Sequence, residues 1–219
     1  MALFGTLLPY LKARFPSPPP ADAKALPPAT LAILTSSTQV TNVLALALPI
    51  ESLFPLVDMW RLVFLDPAVG TWFSTLSPTS NAPPTDPISI FLPKAITALD
   101  GNQKGSRNFV LTVIRMLCNA FSHPVLSQQL LKSPTREKVT EVLIPSLLHA
   151  DGLVRTAAAS LTFDVSSVFQ KARVEAVKSG RGIKPYGDES LADWEVEIVS
   201  AVVEALDREK ENEEVGELF

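Results

Sequence analysis

The sequence predicts an all-α protein built as a solenoid of stacked helices. Three observations lead there. Apolar residues recur every three to four positions in segments of about 10–20 residues, while no strand-like alternation lasts more than a few positions. Prolines and Asp-Gly pairs fall between those segments, as punctuation between helices. A helix carrying one arginine on its polar side then recurs at Arg61, Arg115 and Arg155, at gaps of 54 and 40 residues, the first gap including a Pro-rich insertion. A repeat of roughly 40–47 residues belongs to armadillo/HEAT-like α-solenoids, which is the fold class expected.

The segments follow in order. Residues 1–27 hold an apolar start (Leu3, Phe4, Leu7, Leu8, Leu11) and a Pro-rich stretch, expected as a short amphipathic helix and an extended linker ahead of one domain over 28–219. A helix is predicted from Pro28 to Ala47, with Leu31, Ile33, Leu34, Val40, Val43 and Leu44 as its apolar positions. Glu51–Leu65 follows, with Leu53, Leu56, Val57, Trp60 and Phe64 inward, then a short helix over Ala68–Ser74. SPTSNAPPTDPIS is a loop by composition. Helices resume at Ile88–Leu99, Asn108–Phe121, a short segment after His123-Pro124, Pro134–Leu148, Leu153–Arg173 and Leu191–Arg208.

The centre of the chain is Asn108–Leu131. Val110, Leu111, Ile114, Leu117, Cys118 and Phe121 form its buried stripe, and Asn108, Thr112, Arg115 and Asn119 its polar one. In the helix after Asp151-Gly152, Val154, Ala157, Ala158, Leu161, Val165, Val168 and Phe169 point inward, and Arg155, Ala159, Thr162 and Ser166 outward.

At 219 residues, 47% hydrophobic and 19% charged, the chain is long and apolar enough for one large globular domain. One cysteine leaves no disulfide framework and fits a reducing compartment. No unbroken apolar run is expected to reach the roughly 18–20 residues of a bilayer span. The start, MALFGTLLPYLKARF, lacks the basic leader and cleavage site of a signal peptide, so a cytoplasmic or nuclear location is expected. The net charge of −4 is unevenly spread. Residues 94–184 carry 13 Lys+Arg against 6 Asp+Glu, whereas 185–219 carry 2 against 12. A cationic surface is therefore expected despite an acidic whole.

Chemistry is scarce. Cys118 could pair with His123 or His149 as a nucleophile, but it sits between Leu117 and Phe121, where a thiol is expected to be buried and inert. One cysteine and two histidines, with no carboxylates at suitable spacing, make no metal site. No Gly-rich phosphate loop follows a strand. Basic residues of 94–184 are not interleaved with aromatics, which argues against RNA. No catalytic residue, cofactor, metal, small-molecule substrate, nucleic acid or membrane is expected, and the chain is expected to be a monomer. Arg61, Arg115 and Arg155, each away from its apolar stripe, would line one groove if their helices stack in register. Each could equally be solvated surface charge or locally paired, as Asp58–Arg61 at i, i+3.

FPLVDMWRL at 54–62, RMLCNAF at 115–121 and VRTAAASLTFDVSSVF at 154–169 resemble, in order and spacing, three landmark segments of the PUL domain. That domain occurs in the phospholipase-activating protein and its yeast relatives, and in fungal proteins fused to thioredoxin-like or deubiquitinase/deSUMOylase-like modules. The resemblance covers about 28–219. It implies an armadillo-like solenoid that binds the acidic C-terminal tail of the hexameric AAA+ segregase, valosin-containing protein, in ubiquitin-dependent turnover. By motif match Arg61 and Arg115 would be groove residues. Arg155 is added from helical phase, and Asn119, Lys104 and Arg107 complete the expected peptide-binding set. Asp164 departs from the asparagine of the family pattern. That pattern extends past Phe219, so a C-terminally truncated domain is expected. The alternative is a generic armadillo/HEAT scaffold for another protein partner.

Overall fold

A computed structural model describes residues 27–75, 86–101, 105–180 and 190–209. The expected N-terminal helix and linker, the loop over 76–85, Lys104 and the acidic residues 210–219 lie outside the described residues. The helices are α1 (Pro28–Ala47), α2 (Phe54–Val63), α3 (Pro67–Thr75), α4 (Pro87–Asp100), α5 (Arg107–Phe121), α6 (Pro124–Leu130), α7 (Thr135–Leu147), α8 (Gly152–Lys178) and α9 (Ser190–Glu209). A 3₁₀ turn, Ile50–Ser52, precedes α2. There is no strand among the described residues.

The boundaries follow local chemistry. Helices α1, α2, α4 and α6 carry a proline in the first turn, where its missing N–H leaves no helical bond unmade. Asp86 caps α4, its Oδ1 accepting from the Ser89 backbone N–H at 2.8 Å. Asp151 caps α8 in the same way, accepting from Leu153 and Val154. Two prolines depart from the punctuation rule: Pro93 and Pro145 lie inside α4 and α7, each removing one backbone hydrogen bond.

Helices equivalent in the succession stand side by side. Helix α5 packs between α2 and α8; α1 packs on α4, α4 on α7 and α7 on α9; α3 packs on α6. From α1 to α8, elements three places apart are thus spatial neighbours, while α9 sits on α7, two places back, an arrangement consistent with an α-solenoid. The core runs through the middle of it. Trp60, Phe64, Phe91, Phe109, Ile114, Met116, Leu117, Leu143 and Leu161 are fully buried. Leu111 and Val165 are buried as expected, but Cys118 is only half-buried, because it sits at the edge of the α5 stripe beside α8.

Helix α1 departs most from expectation. Ile33, Val40 and Val43 face outward, and its buried residues are Leu34, Thr38, Thr41 and Ala45. Hydrogen bonding accompanies this phase: the buried Trp60 indole N–H donates to Thr41 Oγ1 at 2.8 Å, which satisfies the indole on the core side. Thr38 satisfies its own hydroxyl on the Leu34 carbonyl at 3.0 Å. Helix α1 also corrects the expectation about apolar length. By length and composition alone its 20 residues would suffice to cross a bilayer. Here one of its sides is packed on protein.

His123 holds the ends of α2 and α5 together. Its Nε2 lies 2.5 Å from the Phe64 carbonyl, at the end of α2, and the ring packs on Gly70 of α3. A Cβ on Gly70 would stand 2.2 Å from the imidazole Cγ. Gly70→Ala is therefore expected to displace the ring and break its bond. The cost should be about 1–3 kcal/mol, read as a lower denaturant midpoint with unchanged m. Burial holds the His123 pKa down, against the opposing Phe64 carbonyl and Asp66. The neutral ring's contribution to stability is thus complete above pH 6.5 and lost as pH falls below it.

Candidate functional site

Three helices, α2, α5 and α8, present one face each to a shared open cleft of about 280 Å³. Its lining is Arg61 from α2, Arg115, Cys118 and Asn119 from α5, and Leu153, Thr156, Ala157 and Ser160 from α8. Arg61 Nε donates to Asp58 Oδ1 at 2.7 Å, one turn back, so its charge is partly compensated. The Asn119 amide donates to the Arg61 backbone carbonyl at 2.7 Å and ties α5 to α2 at the cleft floor. Arg115 is exposed and has no ion-pair or hydrogen-bond partner among the described residues.

Of the residues singled out in the sequence, the structure brings Arg61, Arg115 and Asn119 together. It does not bring Arg155 or Arg107 to the cleft. Residues 153, 156, 157 and 160 share one side of α8, and Arg155 points to the opposite one, because each residue turns the helix by a third to a quarter of a circle. Its Nη1 donates to the carbonyls of His149 and Ala150 at 2.8 and 2.9 Å, and its Nε pairs with Glu209 of α9. Ala159 and Thr162, expected outward, are buried on that same side, Ala159 beside α9. Arg107 is a clamp: its Nε donates to Asp151 Oδ2 at 2.6 Å. That bond, the largest influence, holds the Asp151 carboxyl below its usual range while the same side chain caps α8.

Sequence reasoning missed Leu153, Thr156 and Ser160. The signal was there in the spacing i, i+3, i+7, completed at i+10 by Phe163, which is also exposed. It was passed over because small polar residues on a helix carry no chemistry until a neighbour faces them.

These landmarks are continuous with a family match: the chain matches the PUL domain over residues 17–217. It belongs to the PUL domain family. No curated protein and no solved structure matches it. PUL domains are protein-interaction modules and not a known enzyme family, so recognition by a protein surface is what the family implies.

The one thiol in the cleft wall fits that role. Burial, followed by the charge of Asp164 and the hydrogen bond to it, pushes the Cys118 pKa up from 9.0 to about 12. Burial also raises the Asp164 carboxyl, against the bond from the thiol. At neutral pH Cys118 is a protonated donor and a poor nucleophile. Labelling by a thiol probe at pH 7.5 is expected to be slow in the folded PUL domain and fast in denaturant. The protonated form favours the fold, so this contribution is complete below pH 9.0 and lost as pH rises towards about 12. Cys118→Ala should remove that alkaline loss. Among the described residues no group of three His, Cys, Asp or Glu is placed to hold a metal ion.

Proposed function

We propose that this PUL domain is a non-catalytic adaptor that receives the acidic C-terminal tail of the hexameric AAA+ segregase in the α2–α5–α8 cleft. The observation that carries it is Arg115, an exposed guanidinium without an ion pair or hydrogen bond among the described residues, with Arg61 in the same cleft. A planar fork of donors matches a carboxylate in two places at once, which a short tail needs to offset the entropy of becoming ordered. Asn119 keeps an amide hydrogen and a carbonyl oxygen for a peptide backbone. The succession of helices supports an armadillo-like repeat, α1–α2–α3 followed by α4–α5–α6, with the cleft on its inner layer. Such an adaptor would act in ubiquitin-dependent turnover in the cytoplasm or nucleus, as a monomer.

Exposed Leu62 and Leu153 favour a second reading, a scaffold for an unrelated apolar helix. Calorimetric titration with the segregase tail peptide and with a sequence-scrambled peptide of equal charge separates the two. Tail-selective binding that weakens with salt supports the adaptor. Salt-insensitive binding of an amphipathic helix, with neither acidic peptide bound, supports the scaffold.

A further inference from the structure

A second cleft, of about 430 Å³, lies away from Arg115, between the outer sides of α1 and α2. Ala32, Ile33, Ser36 and Val40 line it from α1, and Leu56 and Met59 from α2. The apolar residues around it are large and wet: Ile33 is 65% exposed, Val40 56%, Val43 64% and Leu46 78%. Ile33 and Val40 line the cleft itself, and large exposed apolar side chains gathered at one place mark an interaction surface. Ser36 and Ser37, between Ile33 and Val40, leave a notch for close approach.

We propose that this cleft is the seat of the chain's own N-terminal segment, residues 1–14. Three observations point to that occupant. The segment is rich in large apolar residues, Leu3, Phe4, Leu7, Leu8 and Leu11, that match the exposed face in kind. Charge is complementary: of the charged residues in 27–61, Asp58 is paired with Arg61 and Glu51 remains as an acid, while residues 1–14 hold Lys12 and Arg14 and no acid. The tether reaches. Residues 15–26 join the segment to Pro27, at the start of α1. At about 3.1 Å per residue they could span about 37 Å, more than the roughly 30 Å length of α1. Held on such a tether, the segment meets the cleft at an effective concentration that makes modest contacts sufficient. Residues 1–16 also precede the family match.

The test uses the full chain. With Val40 replaced by a benzophenone-bearing phenylalanine, irradiation should crosslink within one molecule, and mass spectrometry should map the crosslink to residues 1–14. Leu7→Asp with Leu8→Asp should raise amide exchange over residues 31–46 by roughly tenfold while circular dichroism stays unchanged. Crosslinked dimers would overturn the proposal in favour of a second copy as occupant. Flotation with phosphatidylcholine/phosphatidylserine vesicles that Val40→Asp abolishes would overturn it in favour of a lipid surface. Unchanged exchange in the double variant, with no crosslink into 1–14, would also overturn it.

Discussion

Arg115→Glu is expected to weaken binding of the segregase tail well beyond tenfold, the largest effect of any single change in the cleft. The reason is its isolation. Among the described residues Arg115 makes no ion pair or hydrogen bond, so its donors are available to a ligand carboxylate. Reversal removes that attraction and adds repulsion at a partly enclosed site. Arg61→Glu should cost less, because Asp58 already engages Arg61 at 2.7 Å and the native charge there is partly cancelled. Arg115→Lys should cost less again, since it keeps the charge and loses the planar fork. Lys178, exposed at the far end of α8 beside Glu175, should be neutral on reversal. Calorimetry of each variant against the tail peptide, with circular dichroism to establish folding, gives the ranking. A folded Arg115→Glu protein that binds like wild type would sink the assignment of the cleft.

Arg155→Ala should act on stability instead. The Arg155 side chain is 18% exposed and that of Glu209 is 7% exposed, so this pair is largely out of water. Glu209 Oε2 is already buried without a hydrogen-bond partner among the described residues. Removing the guanidinium strands the carboxylate and frees the carbonyls of His149 and Ala150 beyond the end of α7. Breaking a buried pair from one side costs about 3 kcal/mol, or a fall in Tm of roughly 6–12 °C in a domain of this size. Arg155→Met with Glu209→Leu should recover most of the loss, because no buried charge then remains. An Arg155→Ala protein with wild-type Tm and abolished tail binding would return Arg155 to the cleft.

The two arginines show where the sequence was sufficient. Helix phase is local, so the apolar stripe of α5 was legible: Leu111, Ile114 and Leu117 are buried where their spacing put them, and Arg115 stands on the polar side. Prolines and aspartates are local too, and they marked the starts of α4, α6 and α8. The landmark segments around Arg61, Arg115 and Val154 sufficed for the family.

What a polar face meets is not local, and there only the tertiary structure decided. Arg155 has the same one-dimensional appearance as Arg115, yet α9 packs on its side of α8 and supplies Glu209 from 54 residues away. Arg173 and Glu195 join the same two helices. The basic middle of the chain, expected as a cationic surface, and its acidic end are thus in part each other's counter-charges. Helix α1 makes the same point with apolar residues. Its composition promised a core helix, but the side that packs on the core carries Leu34, Thr38, Thr41 and Ala45, with Thr41 accepting from the Trp60 indole N–H, and Ile33, Val40 and Val43 face solvent. Periodicity fixes which residues share a face, whereas the partner that a face receives depends on contacts between distant segments, which no local pattern encodes.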